Sequence, residues 1–432
     1  MANQPKVRER PHVRIMFQFG GLAGVDYGYL YTKLEFRGMV NGGYIVRAEL
    51  GDPSFNLINK LIEEGYLKDT RSKPVPVKFQ ILSGDKGTYP ETATRPQTAI
   101  ILSLNVKTGP GDIGYIEFVA IDPPSWFLNM GDAAGSVFKG RVDQVIKKVI
   151  NQYAPSVNAD VGRTIDSEQN RFWMMRQDPK TFLSSLMDWS ASITQRKTQW
   201  LVEVDGYDML IKEQAALISR QRAFYRFFAS SDHDTILKAA LTADNALSAV
   251  QSKLVTSGCS AISGQYLDKI TDEKEEKVFV KDSTTGNKQV AKANNEQSFT
   301  KPPDAKPTRV GWSAVTSIPE LYSAGDLGLR LDEYVDGRPR AMWLNMVNNL
   351  LKAKFTTIGH GEWSDCRGLG VDTIFVKWTS GKGESGDEFW WVTGNWLVYG
   401  FHHIVTRAMW NTEVYCARFD YDAAARKVGG GG

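Results

Sequence analysis

Cysteine is scarce in this sequence. The 432 residues include three cysteines, Cys259, Cys366 and Cys416, which lie far apart. No two of them have the spacing of metal ligands, and an odd number provides no disulfide framework. We therefore expect neither a metal nor another cofactor, and a chain that folds in a reducing cytoplasm.

Long apolar runs and an excess of charge are also missing. No stretch is long enough to cross a bilayer as a helix, and the N-terminal MANQPKVRER lacks the apolar core of a signal peptide. We expect a soluble protein without membrane insertion that is not exported by the general secretory route. The net charge is only +3, with 52 basic and 49 acidic residues, so a dedicated nucleic-acid binder is disfavoured.

Residues for catalysis are few and poorly grouped. There are five histidines, and the only cluster is His402-His403. Neighbours on a strand point to opposite faces, so these two cannot both bind one metal ion without distortion, and structural roles are favoured. Asp232-His233-Asp234 is interpreted as the cap of a following helix. The glycines of 20–24 lack the Lys-Ser/Thr pair of a phosphate-binding loop.

One loop has the residue types of a site. His360-Gly-Glu362-Trp-Ser-Asp365-Cys366 offers possible metal ligands or a general acid and base, but its spacing matches no zinc or hydrolase signature. Loops collect such polar residues in any case. We predict a solvated connection between elements.

Aromatic residues are plentiful. They make up 11% of the chain and include 12 tryptophans, which is typical of β architecture and of subunit contacts. Tryptophans also line carbohydrate grooves, but nothing here pairs them with two suitably placed carboxylates.

The patterns along the chain predict an α+β fold that is mainly β, in four parts. Domain 1–140 alternates apolar and polar residues in five or six strands and has one helix, capped by Asp52, at 55–64. Region 141–214 has two amphipathic helices and a hairpin around Asp205-Gly206.

The second half is less regular. In region 215–310 we predict an alanine-rich helix at 235–254 and, at 271–309, a charged surface excursion or linker. Domain 311–432 is predicted to contain a helix at 341–355 and strands at 373–378, 388–392, 396–405 and 412–419. We find no short internal repeat.

Two segments resemble a known family. RFWMMRQDPKTFLSSLMDWSASIT at 171–194, followed by the hairpin, is similar to the helix and hairpin module of tail baseplate hub proteins. The closing segment 393–418 resembles the last strands of that family, G-x-Y/W-x-V-x-G-x-x-H followed by W-x-T-x-x-x-x-x-R. The matching residues are Trp173, Asp178, Pro179, Trp189, Gly206, Gly394, Trp396, Val398, Gly400, His403, Trp410, Thr412 and Arg418.

The family comprises central hubs of contractile phage tails and the N-terminal part of type VI secretion spike proteins. The resemblance implies two tail-tube-like β-barrel domains per chain with the helix-plus-hairpin module between them. It also implies a homotrimer that joins the sixfold tail tube to the threefold central spike and lets DNA pass without specific binding. Expected partners are spike, tube or tube-initiator, tape measure and baseplate wedge proteins, in a virion tail assembled in the host cytoplasm.

Two other classes stay open. The chain could be a tail-associated cell-wall hydrolase with Glu362 and Asp365 as acid and base. It could instead be a carbohydrate-binding tail protein that uses exposed tryptophans. We favour the structural, non-enzymatic role because no catalytic constellation is apparent and β segments dominate.

Overall fold

The computed structural model describes part of the chain, and the following account concerns that part. The described residues are 13–22, 24–66, 74–83, 92–109, 113–131, 135–162, 172–175, 178–193, 200–213, 223–228, 236–243, 261–263, 276–281, 288–293, 351–359, 361–377 and 394–418.

Strands dominate the structure, which confirms the mainly β, α+β class. The strands of the N-terminal part are β1 (Val13–Phe19), β2 (Tyr31–Met39), β3 (Gly43–Asp52), β4 (Pro76–Ser83), β5 (Thr92–Ala93), β6 (Gln97–Thr108), β7 (Gly114–Ile121), β8 (Val137–Lys139), β9 (Asn158–Val161) and β10 (Phe172–Met174). Those that follow are β11 (Trp200–Asp205), β12 (Asp208–Glu213), β13 (Ala223–Phe228), β14 (Ile236–Ala243), β15 (Ala261–Ser263), β16 (Glu276–Lys281), β17 (Lys288–Ala293), β18 (Leu351–Ile358), β19 (Thr373–Lys377), β20 (Gly394–Thr406) and β21 (Met409–Arg418).

Four α-helices accompany them in the described part of the chain. They are α1 (Asn56–Glu63), α2 (Pro123–Met130), α3 (Val142–Tyr153) and α4 (Pro179–Ile193). Asp52 caps α1 as predicted, since its carboxylate accepts hydrogen bonds from the backbone N–H groups of Asn56, Leu57 and Ile58. No helix in the described residues is long and apolar enough to span a membrane.

One large sheet contains most of the strands. Its main path is β1-β4-β6-β7-β3-β2-β20-β21-β18-β14, so the first and last parts of the chain meet where β2 pairs with β20. Alternating side chains bury one face, as in β1, where Val13, Ile15, Phe17 and Phe19 point inward. The described strands form an open path, and the two closed barrels that the sequence led us to expect are not found among them.

The large sheet contains an internal duplication of a four-strand unit. The order β6-β7-β3-β2 is followed by β20-β21-β18-β14, and in each set the strands have the same relative order along the chain. We call β1 to β7 the first repeat and β13, β14 and β18 to β21 the second repeat. The prediction of two β units in one chain is therefore supported by topology, although no repeat is visible in the sequence.

The hydrogen-bond register confirms the equivalence. The first four residues of β6 pair with β4, and the first four of β20 pair with β19. The next residues, Ile101 and Val398, both donate their N–H to the residue just before the partner strand, Val75 or Asp372. A bulge then follows in each strand, between Ile101 and Ser103 and between Val398 and Gly400. The outermost strands differ, since β1 pairs antiparallel and β13 parallel.

Between the repeats lies the predicted helix and hairpin module. Helices α2, α3 and α4 pack together, and β11, β12 and β9 form a small sheet beside them. Asn41, in the turn between β2 and β3, exchanges hydrogen bonds with the backbone of Trp200 and Val202 in β11. This contact fixes the module against the first repeat.

Several predicted elements in the second half are wrong. Residues 351–355 of the expected helix at 341–355 belong to β18, and 236–243 of the expected helix at 235–254 form β14. Each forms a strand because it pairs with the other. The charged excursion contains the hairpin β16–β17. The remainder of these segments, and the predicted strand 388–392, lie outside the described residues.

Candidate functional site

The closing hairpin β20–β21 directs four of its motif side chains to the buried face of the large sheet. Trp396, His403, Trp410 and Thr412 are all buried, and Trp396 packs edge-to-face on Phe355 with ring centroids 5.3 Å apart. As predicted, the two adjacent histidines point to opposite faces: His403 is inside, and His402 lies on the outer face beside Glu413. They cannot act on one ligand together.

His403 organises a buried polar network. Its Nδ1 lies 2.8 Å from Thr412 Oγ1 and 3.1 Å from Trp410 Nε1, and its Nε2 contacts the carbonyl oxygen of Trp363. An indole N–H only donates, so Nδ1 accepts and the imidazole proton is on Nε2. Phe36 stacks on the ring with centroids 5.7 Å apart. The imidazole is fully committed to packing and hydrogen bonds, which is a structural role.

The motif glycines allow close approach and turns. A Cβ on Gly400 would be 2.5 Å from Met39 Sδ, at the bulge beside β2. Gly394 begins β20 with φ of 140°, and Gly206 has φ of 60° in the β11–β12 turn, both in the region that favours glycine.

The other motif residues act in the module. Trp173 Nε1 donates to the carbonyl of Gly140, Asp178 accepts from the N–H of Thr181 to cap α4, and Pro179 is the first residue of that helix. Trp189 lies in α4 and Arg418 ends β21; nothing of their side chains is described.

The loop 361–372 is a buried junction rather than the solvated connection we predicted. Gly368 N–H donates to Glu203 Oε1, Cys366 N–H to the carbonyl of Val204, and Gly361 N–H to Thr92 Oγ1. The loop thereby contacts the β11–β12 hairpin and the first repeat at once. Its polar composition reflects satisfied buried groups.

A charge cluster holds this junction. Arg367 donates to both oxygens of Asp365, through its backbone N–H and its guanidinium, and reaches Asp205 Oδ2 of the hairpin at 2.8 Å. Arg95 of the first repeat lies 3.7 Å from Asp365. Because Asp365 is buried and ion-paired, its carboxylate is arranged as a structural anchor, which disfavours the acid–base role considered above.

Neither metal chemistry nor thiol chemistry gains support. Within the described ranges no group of three or more His, Cys, Asp or Glu side chains could hold a metal ion. Cys366 and Cys416 are free thiols, and burial raises the pKa of both well above the ordinary value, so they stay protonated. His360 and the triplet 232–234 lie outside the described residues.

A further candidate surface is the outer face of the duplicated sheet. We call it the polar face: the outward residues of β6, β7, β3, β2, β20, β21 and β18. Opposite charges alternate on it, with Lys33–Glu35 and Lys107–Glu117 pairs at 2.6 Å and Lys354–Glu413 at 2.8 Å. The alternation of charge is visible in the sequence, but its continuation from one repeat to the next is not.

The charges of the polar face are locally balanced. Hydrogen bonding from Lys33 keeps the pKa of the Glu35 carboxyl below its usual value despite partial burial. Burial alone would raise the pKa of the Glu413 carboxyl. Hydrogen bonds from Lys354 and Tyr415 lower this pKa by more, so it lies below its usual value. His402 lies between these carboxylates, 3.9 Å from Glu35 and 3.4 Å from Glu413.

A groove on the polar face is too small and too charged for a typical organic ligand. Its volume is about 250 Å³, and its lining includes Lys33, Glu35, Arg47, Glu49 and Glu117. Ligand pockets are usually larger and mainly apolar. The groove therefore does not support a small-molecule site on this face.

The fold is similar to that of tail proteins. A tail protein from Neisseria meningitidis MC58 is 12% identical, with a TM-score of 0.50 over 95% of this chain and 99% of that one. The 43 kDa tail protein of prophage MuSo2 from Shewanella oneidensis is 11% identical, with a TM-score of 0.51 over 95% and 98%.

A third similar structure is the half-lidded Francisella PdpA-VgrG complex. It is 9% identical, with a TM-score of 0.51, and covers 96% of this chain but 58% of that one. No model of a protein family and no curated protein matches the sequence. The alignments cover 95–96% of this chain, at identities that show the fold alone.

Proposed function

We propose that this protein is the structural hub of a tail baseplate in a contractile-tailed phage or phage-like particle. It forms a trimeric ring that joins a sixfold tail tube to a threefold spike. The observation that carries the proposal is the internal duplication: two repeats continue one sheet through the pairing of β2 with β20. Three copies therefore present six similar units, which suits an adaptor between threefold and sixfold neighbours.

The polar face would line the central channel. Its ion pairs, such as Lys107–Glu117 and Lys354–Glu413, neutralise each other across strands. A wall of paired charges offers a passing DNA no continuous basic track, so binding is weak and nonspecific. We propose no catalytic role, because the charged side chains of this face and of the Arg367 cluster form ion pairs with each other.

The assignment includes partners and location. The hub would contact the central spike on one side, tube or tube-initiator proteins on the other, and tape measure and wedge proteins around it, in a virion tail assembled in the host cytoplasm. The same proposal includes the structural roles of the family-motif residues. It also includes the division of the chain into four parts, 1–140, 141–214, 215–310 and 311–432. The tail-protein folds named above support it.

Native mass spectrometry and electron microscopy test this function. We expect three times the 48.2 kDa chain mass and ring-shaped particles with a central hole. A monomer at micromolar concentration, without a ring, would contradict the proposal. Release of soluble fragments from purified peptidoglycan by the wild type, abolished in Glu362→Gln, would favour the hydrolase instead.

A further inference from the structure

The two repeats meet at a seam, the pairing of β2 with β20. In one chain, β2 pairs with the part of β20 that follows the bulge, so that Gly38 is opposite Phe401, Arg37 opposite His402 and Phe36 opposite His403. This seam buries both Phe401 and His403 completely.

The corresponding half of β6 has no such neighbour among the described strands of its own chain. Residues 102–108 pair with β7 on one side, and no described strand pairs with the other. Leu102 and Val106 are 41% and 39% exposed there. By the register of the duplication, Leu104 corresponds to Phe401, Asn105 to His402 and Val106 to His403.

The other end of the sheet has the complementary edge. Strand β14 pairs with β18 and, among the described strands, with no other. In the duplication β7 corresponds to β21, β3 to β18 and β2 to β14. The pairings β3–β7 and β18–β21, and then β2–β3 and β14–β18, extend the residue equivalence to the last strand. Leu241 is thereby the equivalent of Phe36, Thr242 of Arg37 and Ala243 of Gly38.

We propose that β14 of one copy pairs antiparallel with residues 103–108 of β6 in the next copy, in the register of the β2–β20 seam. Leu241 then lies opposite Val106, Thr242 opposite Asn105, and Ala243 opposite Leu104. The occupant of the exposed β6 edge is thus a second copy of this chain, which covers Val106 as β2 covers His403. Head-to-tail contacts of this kind close into a ring and remove both free edges. This inference rests on the proposed trimer.

Disulfide trapping tests the register. Residues directly opposite in an antiparallel pair have Cα atoms about 4.5–5.5 Å apart, within reach of a disulfide. The variant with Val106→Cys and Leu241→Cys should form covalent dimers and trimers under mild oxidation. Each single variant, and the mismatched pair Val106→Cys with Thr242→Cys, whose positions face opposite sides, should not.

A second variant measures the contact without a cross-link. Val106→Asp should leave the monomer fold intact, because this residue is partly exposed, yet weaken ring association by on the order of tenfold or more. A stable trimer that gives no Val106–Leu241 cross-link and ignores Val106→Asp would overturn the register while leaving the hub intact. A strictly monomeric protein would overturn both.

Discussion

At the scale of single residues, His403 shows how a motif residue stabilises the fold without chemistry. Replacing it with Phe keeps an aromatic ring but leaves the Trp410 indole N–H, the Thr412 hydroxyl and the Trp363 carbonyl without the imidazole partner. Unsatisfied buried polar groups cost about 1–3 kcal/mol each. We expect His403→Phe to lower the free energy of unfolding by about 3 kcal/mol, measured by urea denaturation.

The adjacent histidine provides a matched control. His402 is on the outer face and its contacts with Glu35 and Glu413 are partly exposed, so His402→Gln should cost less than about 1 kcal/mol. Equal losses in the two variants would contradict the assignment of a buried network to one face only.

Glu413 makes a pH-dependent contribution. Burial alone would raise its folded-state pKa, but hydrogen bonds from Lys354 and Tyr415 together hold that pKa below the ordinary value. The sign is that of a stabilising carboxylate: the contribution is complete above the unfolded-state value near 4.3 and is lost as pH falls through the folded-state value. Glu413→Gln should lower stability at pH 7 and lose less on acidification to pH 3.5. Parallel pH profiles for variant and wild type in urea unfolding would refute this.

At the scale of elements, the close pairing of β2 with β20 requires a glycine at position 38 of β2. A Cβ on Gly38 would lie 2.5 Å from the Phe401 ring and 3.1 Å from Cys366 Sγ. Overpacking of this kind costs about 1–3 kcal/mol. Gly38→Ala should therefore lower the midpoint of thermal unfolding by several degrees.

Gly51, also in a β strand, is the control. A Cβ there meets nothing closer than 3.6 Å, so Gly51→Ala should be neutral or slightly stabilising. If both alanine variants melt alike, close packing at the seam is not what Gly38 provides.

Which elements the sequence predicts depends on how local their determinants are. The alternation of Val13 to Phe19 and the Asp52 cap are local, and both predictions are confirmed. Ile236–Ala243 is alanine-rich and favours a helix locally, yet pairing with β18 makes it a strand. In β18 itself, buried Ala353 and Phe355 alternate with Lys352 and Lys354, a strand pattern that the helical stripe of the preceding residues obscured.

The candidate site was predictable only in part, for the same reason. The motif of β20 and β21 is contiguous, and four of its residues, Trp396, His403, Trp410 and Thr412, are buried in the structure. The junction was missed because Arg367 finds Asp205 more than 150 residues away along the chain. Such contacts leave no local periodicity, and a loop rich in polar residues looks solvated.

At the scale of the whole molecule, the two repeats share one sheet and should unfold together. Phe17 belongs to the first repeat and Phe355 to the second, and both are fully buried. Each Phe→Ala change should cost about 3–5 kcal/mol. Because β2–β20 pairing joins the repeats, we expect calorimetry to show that either variant shifts a single common transition to lower temperature. Independent domains would instead give two transitions, of which each substitution moves only its own.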